Sequence, residues 1–169
     1  MHMLVSDAMT KNPITCPVDM PLRQAVGLLR SNHIGGLPVL DGDKLVGIIT
    51  ESDVIAQLQT GRISDDLWLP SPMEIIEIPI REYINWERTR DALSNIGDKP
   101  VKKVMTKRVV TATEEMDIEE AAALMLKEGI ARLPVVRGKT LVGILTRADI
   151  IQALGASYTK QNEGDRESS

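Results

Sequence analysis

Two stretches of the chain repeat one arrangement of apolar and polar residues. In each, an apolar run of strand length ("GLPVL", residues 36–40; "RLPVV", 132–136) leads into a three-residue turn ("DGD"; "RGK"), and a second apolar run ends in threonine ("KLVGIIT", 44–50; "TLVGILT", 140–146). Such runs around a glycine-centred turn predict two β-hairpins. Before each hairpin the apolar spacing changes to that of a helix. "PLRQAVGLLRSNH" (21–33) has Pro21 to pre-set its first turn. In "DIEEAAALMLKEG" (117–129), Asp117 and Glu120 form a capping-box pattern and Gly129 is the stop. Ala121, Ala122, Ala123, Leu124 and Met125 give that helix a broad apolar face. Short extended pieces precede these helices ("PITCP", 13–17; "VVTAT", 109–113), and a second helix follows each hairpin ("ESDVIAQL", 51–58; "RADIIQAL", 147–154). The predicted order is β-α-β-β-α, twice.

The repetition extends to identity. Val5–Leu58 aligns without a gap on Val101–Leu154, and over a third of the positions are the same. Met9-Thr10-Lys11 matches Met105-Thr106-Lys107, and Leu45-Val46-Gly47-Ile48 matches Leu141-Val142-Gly143-Ile144. The chain therefore reads as a tandem duplication of α+β class: residues 1–58, an insert at 59–100, residues 101–154, and a polar tail at 155–169 expected to be disordered. A repeat of about 50 residues is marginal alone, so two are expected to pair faces. The insert differs in composition. "WLPSPMEIIEIPI" (68–80) has three prolines and reads as extended, and "NWERTRDALSNIG" (85–97) reads as a helix capped by Asn85 and stopped at Gly97. Trp68, Tyr83 and Trp86 lie in the insert. They either pack it onto the repeats or form a dimer or partner surface.

Composition narrows the function. With 169 residues, two Trp, two Tyr and no Phe, the core must be aliphatic. A net charge of −4 argues against a nucleic-acid protein working by bulk charge, and the short basic run Lys102, Lys103, Lys107, Arg108 reads as a solvated edge. Cys16 is the single cysteine, which excludes an intramolecular disulfide and points to a reducing, cytoplasmic setting. No apolar run approaches the roughly 18 residues of a membrane span, so no membrane partner is expected. Catalysis finds no support. Cys16 reads as core filler and His33 as a helix-terminal cation, and the sequence has neither a zinc-spaced Cys/His cluster nor a Walker or G-x-G-x-x-G loop.

The repeated phrase "T-x-x-D" (Thr50 to Asp53; Thr146 to Asp149) has two readings. It is complete as helix-start chemistry, threonine as cap and aspartate three residues on. The same atoms suit a nucleotide. A strand-to-helix turn attracts phosphate, a carboxylate there can bind a ribose diol, and Gly47 and Gly143 leave room for a ligand to approach the strand.

The ordered set "MT…T…A…LPV…LVGI-x-T-x-x-D", present twice in one register, resembles a tandem pair of CBS domains, a Bateman module. The resemblance spans the two repeats and excludes the insert and tail. It implies two repeats packed about a pseudo-twofold axis, with clefts that bind AMP, ADP, ATP, S-adenosylmethionine or methylthioadenosine. It implies a regulatory homodimer without catalytic cofactor that signals to a protein partner. By position, Ile14, Thr15 and Met20, with Val110, Thr111 and Met116, fall on the adenine side. Thr50, Ser52 and Asp53, with Thr146 and Asp149, fall at ribose and phosphate. Arg132, just before "LPV", suits a phosphate, whereas the first repeat has Gly35 and Gly36 there, so the sites are expected to be unequal. The alternative is an interaction module without ligand, working through the aromatic insert.

Overall fold

The computed structural model describes residues 2–58 and 96–166. In chain order the elements are α1 (Val5–Ala8), β1 (Thr10–Lys11), β2 (Cys16–Pro17), α2 (Leu22–Ser31), β3 (Gly36–Asp41), β4 (Lys44–Thr50), α3 (Glu51–Leu58), a 3-10 turn (Val101–Lys103), α4 (Ile118–Glu128), β5 (Arg132–Arg137), β6 (Thr140–Thr146) and α5 (Arg147–Arg166). The fold is α+β: the first repeat runs β2-α2-β3-β4-α3 and the second α4-β5-β6-α5, the strand expected at 109–113 being reduced to a single bridge of Ala112 to Val135. The expected extended stretch at 68–80, most of the helix from Asn85, and Trp68, Tyr83 and Trp86 lie outside the described residues.

Both hairpins form over the residues their patterns predict. β3 pairs antiparallel with β4 from Gly36 opposite Thr50 to Asp41 opposite Lys44, and β5 with β6 from Arg132 opposite Thr146 to Arg137 opposite Thr140. Gly42 and Gly138 open the two-residue turns at φ +59° and +65°, a backbone region that favours glycine. Each hairpin has a bulge at the same place. Register shifts between Val39 and Leu40, and between Val135 and Val136, leaving Val46 and Val142 as the extra residues.

The chain divides into two compact units. Ile14–Val109 forms what we call the first unit, and Met1–Pro13 with Val110–Ser169 forms the second. The boundaries fall inside the sequence repeats, so the leading segment of each repeat packs with the other repeat's hairpin. In the first unit Val101 and Val104 are buried with Leu22, Ala25, Leu37, Val39 and Ile49. Val101 N–H donates to Met20 O at 2.8 Å, and Leu22 N–H to Lys99 O at 2.8 Å. In the second unit Val5 is buried with Ile118, Ala121, Met125, Leu133 and Leu145. Val5 N–H donates to Met116 O at 2.8 Å, and Ile118 N–H to Met3 O at 3.0 Å. Both cores are aliphatic, as the lack of phenylalanine requires.

The helix ends differ. Asp117 caps α4 by accepting from Glu119 N–H, one position earlier than the capping-box pattern implied, and Gly129 ends it at φ +65°. His33 holds the position equivalent to Gly129 and takes φ +52° without glycine's freedom. α5 runs through Gly155 to Arg166. This departs from the disorder expected after residue 155. A single glycine costs a helix only about 1 kcal/mol, and no proline follows to stop it.

Candidate functional site

The two T-x-x-D turns join a buried strand to a helix, and each forms a capping box. In the first unit Thr50 N–H and Thr50 Oγ1 both donate to Asp53 Oδ2 at 2.9 Å, and Asp53 N–H donates back to Thr50 Oγ1 at 3.3 Å. In the second unit the corresponding distances from Thr146 to Asp149 are 2.7, 2.7 and 3.3 Å. A carboxylate here also faces the positive end of the helix dipole. The sequence places the two groups three residues apart, and the strand end and first helical turn bring them together.

The first unit adds a partner that sequence reading missed. Thr106 Oγ1 donates to Asp53 Oδ1 at 2.9 Å. Thr106 is held opposite Ile48 by backbone bonds of 2.9 and 3.0 Å. Thr10 stands opposite Ile144 in the second unit, yet among the described residues Asp149 Oδ1 accepts no hydrogen bond. The signal available was the repeated dipeptide Met-Thr, Met9-Thr10 and Met105-Thr106.

The glycines of the phrase have a different role from the one expected. A Cβ on Gly47 would fall against Met105 Sδ and 3.1 Å from Thr106 O, and one on Gly143 against Met9 Sδ and 3.0 Å from Thr10 O. The space over each glycine is filled by the adjacent Met-Thr segment and is not open to a ligand. Both are needed for close approach of backbone to backbone.

The twelve expected site residues divide evenly. Ile14, Thr15, Met20, Thr50, Ser52 and Asp53 belong to the first unit, and Val110, Thr111, Met116, Arg132, Thr146 and Asp149 to the second. Ile14 is 39% exposed, Ser52 is exposed, and Thr15, Thr50 and Asp53 are half-buried. Met20 packs on the first core, and Val110 and Met116 on the second. Among the described residues the Thr15 and Thr111 hydroxyls make no hydrogen bond to the T-x-x-D turns. Arg132 is the cross-strand partner of Thr146, and Gly36 is that of Thr50. Cross-strand partners project to the same side of a sheet, so Arg132 accompanies the second turn where the first has Gly36.

Two other features separate from this chemistry. Cys16 is fully buried, and burial pushes its thiol up to about 11, so it is inert core. A cleft of about 640 Å³ in the first unit lies between α2 and α3, lined by Leu29, Arg30, His33, Glu51 and Ile55 among others, and holds none of the expected site residues. Among the described residues no helix is long and apolar enough to cross a membrane.

A doubled α-β-β-α unit with a T-x-x-D turn at each strand-to-helix junction defines a class, and comparison with known proteins agrees. The CBS domain family matches at residues 5–60 and 101–156, and the chain belongs to that family. It is 44% identical over 154 residues to protein MJ1426 of Methanocaldococcus jannaschii, covering 90% of this chain and 91% of that protein. The solved CBS domain pair of protein MJ0100, in complex with 5'-methylthioadenosine and S-adenosyl-L-methionine, is 28% identical with a TM-score of 0.64, covering 93% of this chain and 99% of that one. CBSX2 in complex with AMP is 25% identical with a TM-score of 0.66, covering 92% of this chain and 98% of that one.

Proposed function

We infer that the chain is a non-catalytic regulatory module that binds an adenosine-containing ligand at its T-x-x-D turns. The observation that carries this is the Asp149 carboxylate. Thr146 fixes its orientation through Oδ2, and Oδ1 accepts nothing among the described residues. A fixed carboxylate with an open acceptor suits the two hydroxyl donors of a ribose. Arg132, opposite Thr146, favours a ligand carrying phosphate or carboxylate. The AMP, methylthioadenosine and S-adenosylmethionine complexes of the two related pairs support the same ligand class. Ile14, Thr15 and Met20, with Val110, Thr111 and Met116, supply the adenine side, and Thr50, Ser52 and Asp53 complete the first unit's ribose side. Ligand binding shifts the balance of module conformations, and a protein partner reads that shift. The exposed Ile55, Leu126 and Ile151 offer apolar helix surface for a second copy of the chain.

The competing reading is an interaction module without ligand. It draws on the completeness of the capping boxes, which need no ligand to explain their residues. Thermal unfolding with AMP, S-adenosylmethionine and methylthioadenosine separates the two. A ligand at a hundred times its Kd stabilises by about 2.7 kcal/mol, a rise in Tm of roughly 5–10 °C for a chain of this size. The adenosyl reading expects that rise with one of the three, and its loss in Asp149→Ala. No shift with any of them leaves the interaction reading in place.

A further inference from the structure

The two turns differ at one hydroxyl. In the first unit Asp53 Oδ2 accepts from Thr50, and Oδ1 accepts from Thr106. Both carboxylate oxygens are engaged. The Thr106 hydroxyl is presented by its backbone pairing with Ile48, which fixes where it stands. In the second unit the same pairing sets Thr10 opposite Ile144, and Asp149 Oδ1 accepts nothing among the described residues. Charge differs in the same direction, with Arg132 opposite Thr146 and Gly36 opposite Thr50.

We propose that Thr106 is a latch on Asp53: the second unit's turn receives ligand first, and the first unit's turn receives it only when the Thr106 hydroxyl is displaced. The latch rests on the adenosyl reading above. A ribose diol brings two O–H donors. At Asp149 it meets an open oxygen. At Asp53 the Thr106 hydroxyl leaves Oδ1 one acceptor position, so the second ribose hydroxyl must displace it, exchanging one O–H donor for another, which gains little. A hydrogen bond to an ionised acceptor corresponds to roughly 10-fold in affinity or more, so the two turns differ by at least that factor. Thr106 is thus a positioning residue, setting the order in which two similar sites fill.

Isothermal titration with AMP, S-adenosylmethionine and methylthioadenosine tests this on the full chain, Asp149→Asn, Thr106→Val and the double variant. The unchanged chain is expected to bind one equivalent tightly. Asp149→Asn weakens that binding by roughly 10-fold or more. Thr106→Val binds a second equivalent tightly, and the double variant recovers one tight equivalent that Asp149→Asn alone lacks. Thr106→Ser, which keeps the hydroxyl, behaves as the unchanged chain, and Thr106→Ala gives the valine result with a smaller side chain. Stoichiometry and affinities in Thr106→Val and Thr106→Ala that match the unchanged chain overturn the latch and leave the adenosyl reading standing. Failure of all the proteins to bind any of the three probes overturns both.

Discussion

In the first unit Asp53 accepts hydrogen bonds from two threonine side chains and one backbone amide. In the second, Asp149 accepts from one threonine side chain and one amide. What the units share is the part a helix start requires, and it repeats with nearly the same distances. What they do not share lies on the outer oxygen, where folding makes no demand. A duplicated motif thus keeps its structural half fixed and lets the half that can meet a ligand diverge.

Substitutions at equivalent positions can break that comparison. The largest effect is expected over the glycines. Gly47→Ala and Gly143→Ala each force a methyl group against a methionine sulfur and a threonine carbonyl. Each should cost about 1–3 kcal/mol, the usual range for overpacking, and the two should agree within a few tenths of a kcal/mol because the surroundings match. Urea denaturation measures this. A cost near zero at either glycine would mean that the Met-Thr segment is not held where the structure has it. The aspartates come next. Asp53→Ala and Asp149→Ala both lose a cap worth about 1 kcal/mol, but Asp53→Ala also strips Thr106 of its acceptor, adding roughly 0.5–1 kcal/mol for a partly exposed bond. Equal losses in ligand-free protein would remove the Thr106 bond from the comparison. The smallest effect is at the helix ends. His33→Gly relieves a left-handed residue, and after glycine's larger unfolded-state entropy is subtracted a gain of about 0.5 kcal/mol remains. Gly129→Ala should move stability the opposite way by a similar amount, about 0.5 kcal/mol.

Much of this was legible in the sequence, for identifiable reasons. The hairpins could be placed because a glycine turn between apolar runs allows only one register, and α3 could be placed because a threonine with an aspartate three residues on marks a helix start. The ownership of the leading segments was not legible. Val5 and Val101 are the same residue in the same context, and either could fill either core, since both cores ask for an aliphatic side chain. Connectivity and chain path decide, and a periodicity argument sees neither. The glycine of "LVGI" was read as space for a ligand because sequence shows that a side chain is absent but does not show what occupies the gap. Thr106 escaped notice for the opposite reason. Its dipeptide occurs in both repeats, so it looked like a mark of common origin, and only one copy bonds the aspartate. α5 outran expectation because polar composition alone does not end a helix.

The exchange of leading segments also sets an order of assembly during synthesis. The first unit has its last piece once the chain has grown to Val109. The second begins at Met1–Pro13 and resumes only at Val110. Its opening strand and helix therefore emerge first and are seated last, after the β5–β6 hairpin has been made. Val5, which ends fully buried, stays solvated until then, and closing so long a loop adds entropy to the cost of its docking. For the same reason a cut in the insert gives two fragments of which neither contains a whole unit, and the pieces can regain their cores only by finding each other.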